Sequence, residues 1–518
     1  MRPICKYILM LILLANLIIV PIMYYGSIDD FSPKHMALVH ETSQRAYLSE
    51  NAKSLFPGFI AMGSIINLLV GINARDLLFY PIQWAPYLII IFCLYYEISK
   101  SYILSAILAS VIMITGTSGT LSIFFWPHGI GNILFYIFLI LIILLSGSRD
   151  SIRSQIKLLM IIIGVSLIYI SYNLSANILL LILSLTLLNY VIFFYKKNNS
   201  DTSKENYHMA RGFFILFAIL LITQLGLFNF VYGVFLPTLE DMRTLELSTI
   251  DKFFVSYISK DIVQTQLSNL IILKPQVLFP LGIIKQASLM LSIFISILLI
   301  FKKFKHTKVF ESSDMVLICI TISAVFYGLI RIPLGATDIL TCMTLPGMIS
   351  ISWLYRYSAI FKKWSVLISI FLIFSSLFYY YEIYDNELMN KDSYEFINID
   401  TTSRWFYEYC FGHAIVASDE LTKNIYIIYL SIEQNMAYSN ITSSVNILTT
   451  PDILFLLQQP CELKPANKYY LINYNLNRLC IGNWMYINSW KKSENIINHN
   501  SHLNSIYEAR CINIYQSN

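Results

Sequence analysis

Blocks of apolar residues fill the chain as far as residue 381, and short polar turns separate each block from the next. A helix of about 20 apolar residues spans the hydrocarbon core of a bilayer. The blocks therefore predict about twelve spans, at residues 7–25, 57–73, 77–96, 102–117, 130–146, 157–172, 176–195, 211–236, 282–301, 315–333, 338–355 and 364–381. We expect residues 1–381 to form an all-α polytopic membrane bundle.

The composition excludes a soluble globular protein. Of the 518 residues, 56% are hydrophobic and 13% are charged, with a mean hydropathy of +0.61, whereas a typical soluble domain has about 25% charged residues. Basic residues flank the spans without forming a patch interleaved with aromatic residues, so nucleic acid is not an expected partner.

Clusters of basic residues predict the orientation of the spans. By the positive-inside rule, the clusters at 149–157, 196–211, 302–308 and 356–363 are cytoplasmic. The outer loops are then residues 26–56 and 237–281, and everything after about residue 382 is also outside. The expected location is the cytoplasmic membrane, with many passes.

One part of this map conflicts with the rule. Four spans between residues 57 and 147 place Arg149 outside when the 26–56 loop is also outside. Either one apolar stretch is re-entrant or residues 118–128 add a crossing, and the pattern leaves both alternatives open.

Residues 382–518 have a different pattern, with alternating apolar positions and 9 Lys and Arg against 14 Asp and Glu. We expect a small extracytoplasmic α/β domain, with strands at 413–417 and 468–474, a helix at 419–436 and a closing hairpin at 505–516. This region contains Cys410, Cys461, Cys480 and Cys511. We expect these cysteines either to form two disulfides, for which three pairings are possible, or to stay as buried thiols.

Candidate chemistry lies where the first span leaves the membrane, at Asp29 and Asp30. A partly desolvated carboxylate has a raised pKa and can deprotonate a hydroxyl group; the alternative is that the pair ends the helix in water. His35, His40 and Glu41 follow in the same loop. They are candidates to orient an acceptor or a phosphate group, or they are solvated side chains.

The acidic pair, the segment from Leu55 to Phe59 and the span that ends in Leu69-Val70-Gly71-Ile72 resemble the membrane glycosyltransferases of the GT-C fold. This superfamily includes the protein O-mannosyltransferases, the aminoarabinose transferases of lipid A and the oligosaccharyltransferases. The layout is similar as well, with a second outer loop past mid-chain and an extracytoplasmic C-terminal domain. The Trp-Trp-Asp signature of oligosaccharyltransferases is absent from the sequence.

The resemblance implies a hexosyl- or pentosyltransferase that moves a sugar from a polyprenyl-phosphate donor at the outer membrane face. The reaction inverts the anomeric carbon, and the acceptor is a glycan, a lipid or a protein. Asp29 or Asp30 corresponds to the base. No cofactor is implied, and since the first loop has no Asp-x-Asp, no metal ligand is assigned.

The leaving phosphate gains negative charge, so a cation at the outer boundary would stabilise the transition state. Arg331 and Lys285 lie near the outer ends of their spans, and Arg243 lies in the second outer loop. Arg331 and Lys285 have an alternative role as snorkelling side chains, and Asp338 is a candidate salt-bridge partner of Arg331. The second loop itself is a candidate amphipathic guide for the lipid donor.

A transporter or flippase of a lipid-linked or small polar substrate is the alternative function. Carriers usually have two related halves, or helices that are interrupted near the middle of the bilayer, and ionisable residues line their pathway. The sequence shows no related halves and no interrupted helices, and the interiors of the predicted spans have few ionisable residues. An O-antigen polymerase or ligase generally has large arginine-rich outer loops, whereas Arg243 is the one arginine of residues 237–281.

Overall fold

The computed structural model describes residues 7, 11–18, 32–49, 52, 56–74, 76–78, 83–115, 127–147, 150–196, 201–227, 275–307, 310–331, 343–385, 401, 405, 408–409, 415–418, 431, 445–447, 468–473, 503–508 and 512–517. Helices form most of the described chain up to residue 385, and the described strands all follow residue 414.

The helices follow the apolar blocks of the sequence. They are α1, described over residues 11–18, then α2 (Ser32–Arg45), α3 (Pro57–Val70), α4 (Trp84–Ser99), α5 (Tyr102–Thr115), α6 (Pro127–Gly147), α7 (Asp150–Ile170), α8 (Tyr172–Lys196), α9 (Asp201–Leu227), α10 (Pro275–Thr307), α11 (Ser312–Arg331), α12 (Thr344–Tyr357) and α13 (Lys362–Asp385). A short 3₁₀ helix, Asp76–Leu78, lies between α3 and α4.

Five segments of the described helices are long and apolar enough to cross a membrane, which indicates a membrane protein. They are Pro127–Leu145, Ile152–Ile170, Leu174–Ile192, Ile284–Thr307 and Ser312–Leu329. Shorter apolar segments lie at Pro57–Val70, Trp84–Ser99, Tyr102–Met113 and Tyr207–Ile222. The predicted helical polytopic bundle is confirmed at this level.

Several helices extend beyond the predicted blocks. Helix α9 begins at Asp201, ten residues before the block at 211–236, and α10 begins at Pro275, seven residues before the block at 282–301. Apolar length measures only the part of a helix that fits a bilayer, and in α9 the backbone hydrogen-bond pattern includes the polar residues 201–208 before the apolar block. Helix ends therefore differ from span ends.

Small residues let neighbouring helices approach closely. At the contact between α10 and α12, a Cβ added at Gly347 would lie 2.7 Å from the Cβ of Leu289. Nearby, the Ser296 hydroxyl donates to the backbone carbonyl of Ser350 at 3.4 Å. Close approach through small residues, supplemented by hydroxyl hydrogen bonds, is typical of helix packing in membranes.

Three described helix ends have a residue in the left-handed region, namely Ala46 after α2 (φ +58°), Gly71 and Lys100. Helix α3 ends at Gly71 in the left-handed region, with φ +71°, and its N–H donates to the carbonyl of Asn67. Helix α4 ends in the same way at Lys100, with φ +54° and an N–H bond to Tyr96. Glycine adopts this conformation without strain, whereas a lysine there is uncommon.

The described strands form one mixed five-stranded sheet in the order β2-β1-β3-β5-β4. They are β1 (Ile415–Ser418), β2 (Val445–Ile447), β3 (Lys468–Asn473), β4 (Leu503–Glu508) and β5 (Ile512–Ser517). Strand β1 pairs in parallel with β2 and β3, and β5 pairs antiparallel with β3 and β4. The expected strands near 413 and 468 and the closing hairpin are present, with β1 placed about two residues later than expected.

Some predictions about this region lie outside the described residues. They concern Cys410, Cys461, Cys480 and Cys511, and most of the helix expected at 419–436, of which Ser431 alone is described. The Ser431 side chain is buried, and its hydroxyl donates to the carbonyl of Ala37 in α2 at 3.3 Å. This bond links the region after residue 400 to the loop that follows α1.

Candidate functional site

Helix α2 follows the predicted acidic pair and is buried along much of its length. His35 is 3% exposed, and Met36, Ala37, Leu38 and Val39 are fully buried. The helix packs against α3, where the Ser64 hydroxyl donates to the carbonyl of Val39 at 3.0 Å. The first loop therefore contains a helix that is packed into the protein.

An aromatic contact joins α2, α3 and α6. The ring of Phe56 lies edge-on between the rings of His35 and His128, with centroid distances of 5.2 and 5.4 Å. Phe59 contacts His35 from the next turn, at 6.0 Å. The Nδ1 atom of His128 lies 2.6 Å from the Ser171 hydroxyl, where α7 meets α8. We refer to His35, Phe56, Phe59, His128 and Ser171 as the His35 cluster.

Glu41, six residues after His35 on α2, is engaged in an ion pair. Its carboxylate lies 3.1 Å from the Arg45 guanidinium, and the Glu41 side chain is 5% exposed. A buried carboxylate needs such a partner, because an unpaired charge in an apolar environment is costly. The ion pair lies within α2, at positions i and i+4, and His40 on the same helix is half-buried.

The remaining predicted site residues are described to different extents. Asp29, Asp30, Arg243 and Asp338 lie outside the described residues. Lys285 is half-buried near the start of the apolar part of α10. Arg331 is the last residue of α11, and only its backbone is described. Of the predicted residues, His35, His40 and Glu41 are brought together on one helix.

Sequence reasoning missed His128 and Ser171, which complete the His35 cluster. Pro127 begins α6, and Ser171 is the single residue between α7 and α8. A polar residue at a helix end in an otherwise apolar chain is the signal that points to both. Their proximity depends on how α6, α7 and α8 pack, and no sequence spacing reveals that.

A second polar cluster lies where α10, α11 and α12 end or begin. The Asp314 side chain is fully buried and accepts hydrogen bonds from the Lys303 ammonium at 3.1 Å and the Trp353 indole at 2.7 Å. It also accepts one at 2.9 Å from the backbone N–H of Glu311, which caps the start of α11. With Glu311 and Tyr357 these residues form the Asp314 network.

Glu311 occupies the exposed side of this network. Lys303 lies 2.7 Å from its carboxylate, and the Tyr357 hydroxyl donates to the other oxygen. Partial burial acts to raise the pKa of Glu311, but the hydrogen bonds from Lys303 and Tyr357 and the nearby charges of Lys303 and Arg356 outweigh it. The pKa of Glu311 is therefore below its usual value.

The chain matches no protein-family model, and no curated protein matches it. Within the described ranges, no group of three or more His, Cys, Asp or Glu side chains is placed to hold a metal ion.

Proposed function

We propose that the protein is a membrane glycosyltransferase that moves a sugar from a polyprenyl-phosphate donor to an acceptor hydroxyl at the outer face of the cytoplasmic membrane. The observation that supports this most directly is the environment of α2. The acidic pair Asp29 and Asp30 directly precedes a helix that is buried against α3 and bonded to Ser431. A base held on packed structure is better positioned than one on a solvated loop.

In the proposed reaction, one carboxylate of the pair accepts the proton of the acceptor hydroxyl. The acceptor oxygen forms a bond to the anomeric carbon as the bond from that carbon to the phosphate oxygen breaks. The polyprenyl phosphate leaves with the bonding electrons, and the configuration at the anomeric carbon inverts. Arg331, Lys285 and Arg243 are the proposed cations for the leaving phosphate.

The proposed membrane arrangement has eleven crossings, namely α1 and α4 to α13, with the N-terminus inside and residues after 385 outside. The support is a contact between distant helix ends: the Arg356 guanidinium lies 3.5 Å from the backbone carbonyls of Glu97 and Ile98. This contact puts the end of α4 beside a basic cluster that the positive-inside rule makes cytoplasmic. Helix α4 then runs inward, α5 outward and α6 inward, and Arg149 is cytoplasmic as the rule requires.

Helix α3 makes no complete crossing in this arrangement. Its first residues lie at the end where α6 begins and α7 ends, because Phe56 contacts His128 and Gly58 lies against Tyr169. Helix α4 begins at that same outer end. Because α3 and α4 both begin at this end, the chain returns to it between them, so this arrangement selects the re-entrant alternative for the predicted span at 57–73.

Reporter fusions test the arrangement. A reporter that is active only in the cytoplasm should be active after residue 100 and inactive after residue 118. Four complete crossings between residues 57 and 147 would give the opposite result at both positions.

Transfer from radiolabelled donors tests the reaction. Purified protein in lipid would be incubated with a set of polyprenyl-phosphate sugars and membrane extract, comparing wild type with Asp29→Asn, Asp30→Asn and the control Asp76→Asn. We expect label transfer by wild type and the control and a loss of about 10²-fold or more in one of the two test variants. Transfer unaffected by both would reject the proposed base, and no transfer by wild type from any donor would favour the transporter.

A further inference from the structure

A groove of about 400 Å³ lies between the α4–α5 turn and the α12–α13 turn. Three basic side chains and several hydroxyl groups line the groove. These residues come from two segments, 99–103 and 355–362, which are more than 250 positions apart in the sequence. Its main polar lining residues are Ser99, Lys100, Tyr102, Tyr355, Arg356 and Lys362. We call it the basic groove.

Aromatic rings hold the three cations. The Lys100 ammonium lies 5.6 Å from the Tyr96 ring centroid, and Lys362 lies 5.0 Å from that of Tyr355. The Arg356 guanidinium carbon lies 4.8 Å from the Tyr357 centroid. A cation–π contact orients a cation without cancelling its charge, whereas a salt bridge neutralises it. Arg356 and Lys362 therefore keep their positive charge in the groove, whereas Lys100 also pairs with Glu97.

The salt bridges of the described residues support this conclusion. Glu97 pairs with Lys100, but no described carboxylate forms a salt bridge with Arg356 or Lys362. Arg356 uses one nitrogen for the backbone carbonyls of Glu97 and Ile98, which leaves its other N–H groups for a ligand. The three cations and Glu97 together have a net charge of about +2. This charge and the available N–H donors indicate that the groove binds an anion.

The backbone at Lys100 fixes the turn that places its side chain at the groove. Its φ of +54° places it in the left-handed region, where glycine is the usual residue at a helix end. A lysine there is less favourable than glycine, as is Ala46 at the end of α2. The lysine side chain lines the open side of the groove, where it is 44% exposed and pairs with Glu97.

The location indicates where the anion comes from. The groove is formed by the ends of apolar helices, and Tyr96 and Tyr102 stack beside it with their ring centroids 4.5 Å apart. Tyrosine at the ends of apolar helices is typical of the boundary between hydrocarbon and lipid headgroups. A phosphate group in a headgroup would reach the cations while its acyl chains lie along α5 and α13.

We propose that the basic groove binds the phosphate group of an anionic ligand, supplied by a membrane lipid of the leaflet at this end of the bundle. The inference is independent of the proposed transfer reaction, which concerns the opposite face. It uses the proposed arrangement of crossings only to identify the leaflet as the cytoplasmic one.

Binding of phosphatidic acid to the purified full-length protein, followed by native mass spectrometry, tests the proposal. The test variant is the double substitution Lys100→Gln with Lys362→Gln. Its matched control is Lys302→Gln with Lys305→Gln, which removes two exposed lysines near the same end of the bundle but outside the groove. We expect affinity to fall by about 30-fold in the test variant and to stay within about threefold of wild type in the control.

Two further measurements distinguish a lipid from free phosphate as the ligand and test whether the variant is misfolded. Lys100→Arg with Lys362→Arg should restore binding, which distinguishes lost charge from lost structure. Inorganic phosphate is the soluble probe: binding that the test variant loses would assign the groove to a free phosphate group. If the test variant loses binding of phosphatidic acid but shows no change with inorganic phosphate, the groove is assigned to a lipid. Equal losses in the test and control variants, or wild-type binding no stronger than to phosphatidylcholine, would overturn the proposal.

Discussion

The indole N–H of Trp353 donates to the fully buried carboxylate of Asp314 across 2.7 Å, joining α12 to the first turn of α11. Lys303 binds the same carboxylate from the end of α10. One acidic side chain therefore connects three consecutive helices of the chain. Because the charge is buried, its contribution depends on keeping every partner in place.

Asp314→Ala should destabilise the protein by about 3 kcal/mol, because Lys303 and Trp353 lose an acceptor inside the protein. The midpoint of thermal unfolding in detergent would measure this. Glu311→Gln is the matched control: its carboxylate is on the exposed side, and we expect a loss of under about 1 kcal/mol. Similar losses of stability in both variants would contradict the prediction that the buried Asp314 contributes more to stability than the exposed Glu311.

Gly347→Ala should destabilise the contact between α10 and α12 by about 1–3 kcal/mol, since the new methyl group would overlap Leu289. Leu289→Ala in the same chain should remove the overlap, so the two losses should not add. Gly212→Ala in α9 is the control, because nothing lies within 4 Å of its added Cβ. We expect that change to raise stability slightly through helix propensity, by up to about 1 kcal/mol.

Phe56→Ala should cost about 3 kcal/mol, because the ring is 5% exposed and fills the space between His35 and His128. Leu69→Ala in the same segment should change the thermal midpoint very little, since Leu69 is 81% exposed. If the proposed base is positioned through α2, Phe56→Ala should also lower sugar transfer at temperatures where the protein remains folded. Unchanged transfer under those conditions would separate the His35 cluster from the reaction.

Acidification should reveal the lowered pKa of Glu311. Its pKa is lower in the folded than in the unfolded chain, so the unfolded chain binds more protons between the two values. The contribution of Glu311 is complete above its unfolded pKa of about 4.3 and is lost as the pH falls through the lower folded value. Thermal midpoints of wild type and Glu311→Gln should thus differ at pH 6 and converge at acid pH. A constant difference over this range would contradict the prediction.

The sequence predicted the helical bundle because apolar length and the cost of unpaired backbone groups in lipid leave little choice of structure. It also located strand β3 and the closing hairpin, where apolar positions alternate. It could not show that α3 is paired with α2, because a 14-residue apolar helix has the same local pattern whether it crosses a bilayer or packs on a neighbour. The Asp314 network and the basic groove were equally hidden, since Lys303, Asp314 and Trp353, like Lys100 and Arg356, meet only through tertiary packing.

The bond from Ser431 to Ala37 spans 394 positions of the chain. At a synthesis rate of about 5–20 residues per second, α2 leaves the ribosome some 20–80 s before its partner exists. During that interval its inward face depends on α3, through the bond from Ser64 to Val39. The first loop is thus among the earliest segments made, but its contact with Ser431 forms only after residue 431 is synthesised, and a chain cut short before that residue would have its membrane helices without this contact.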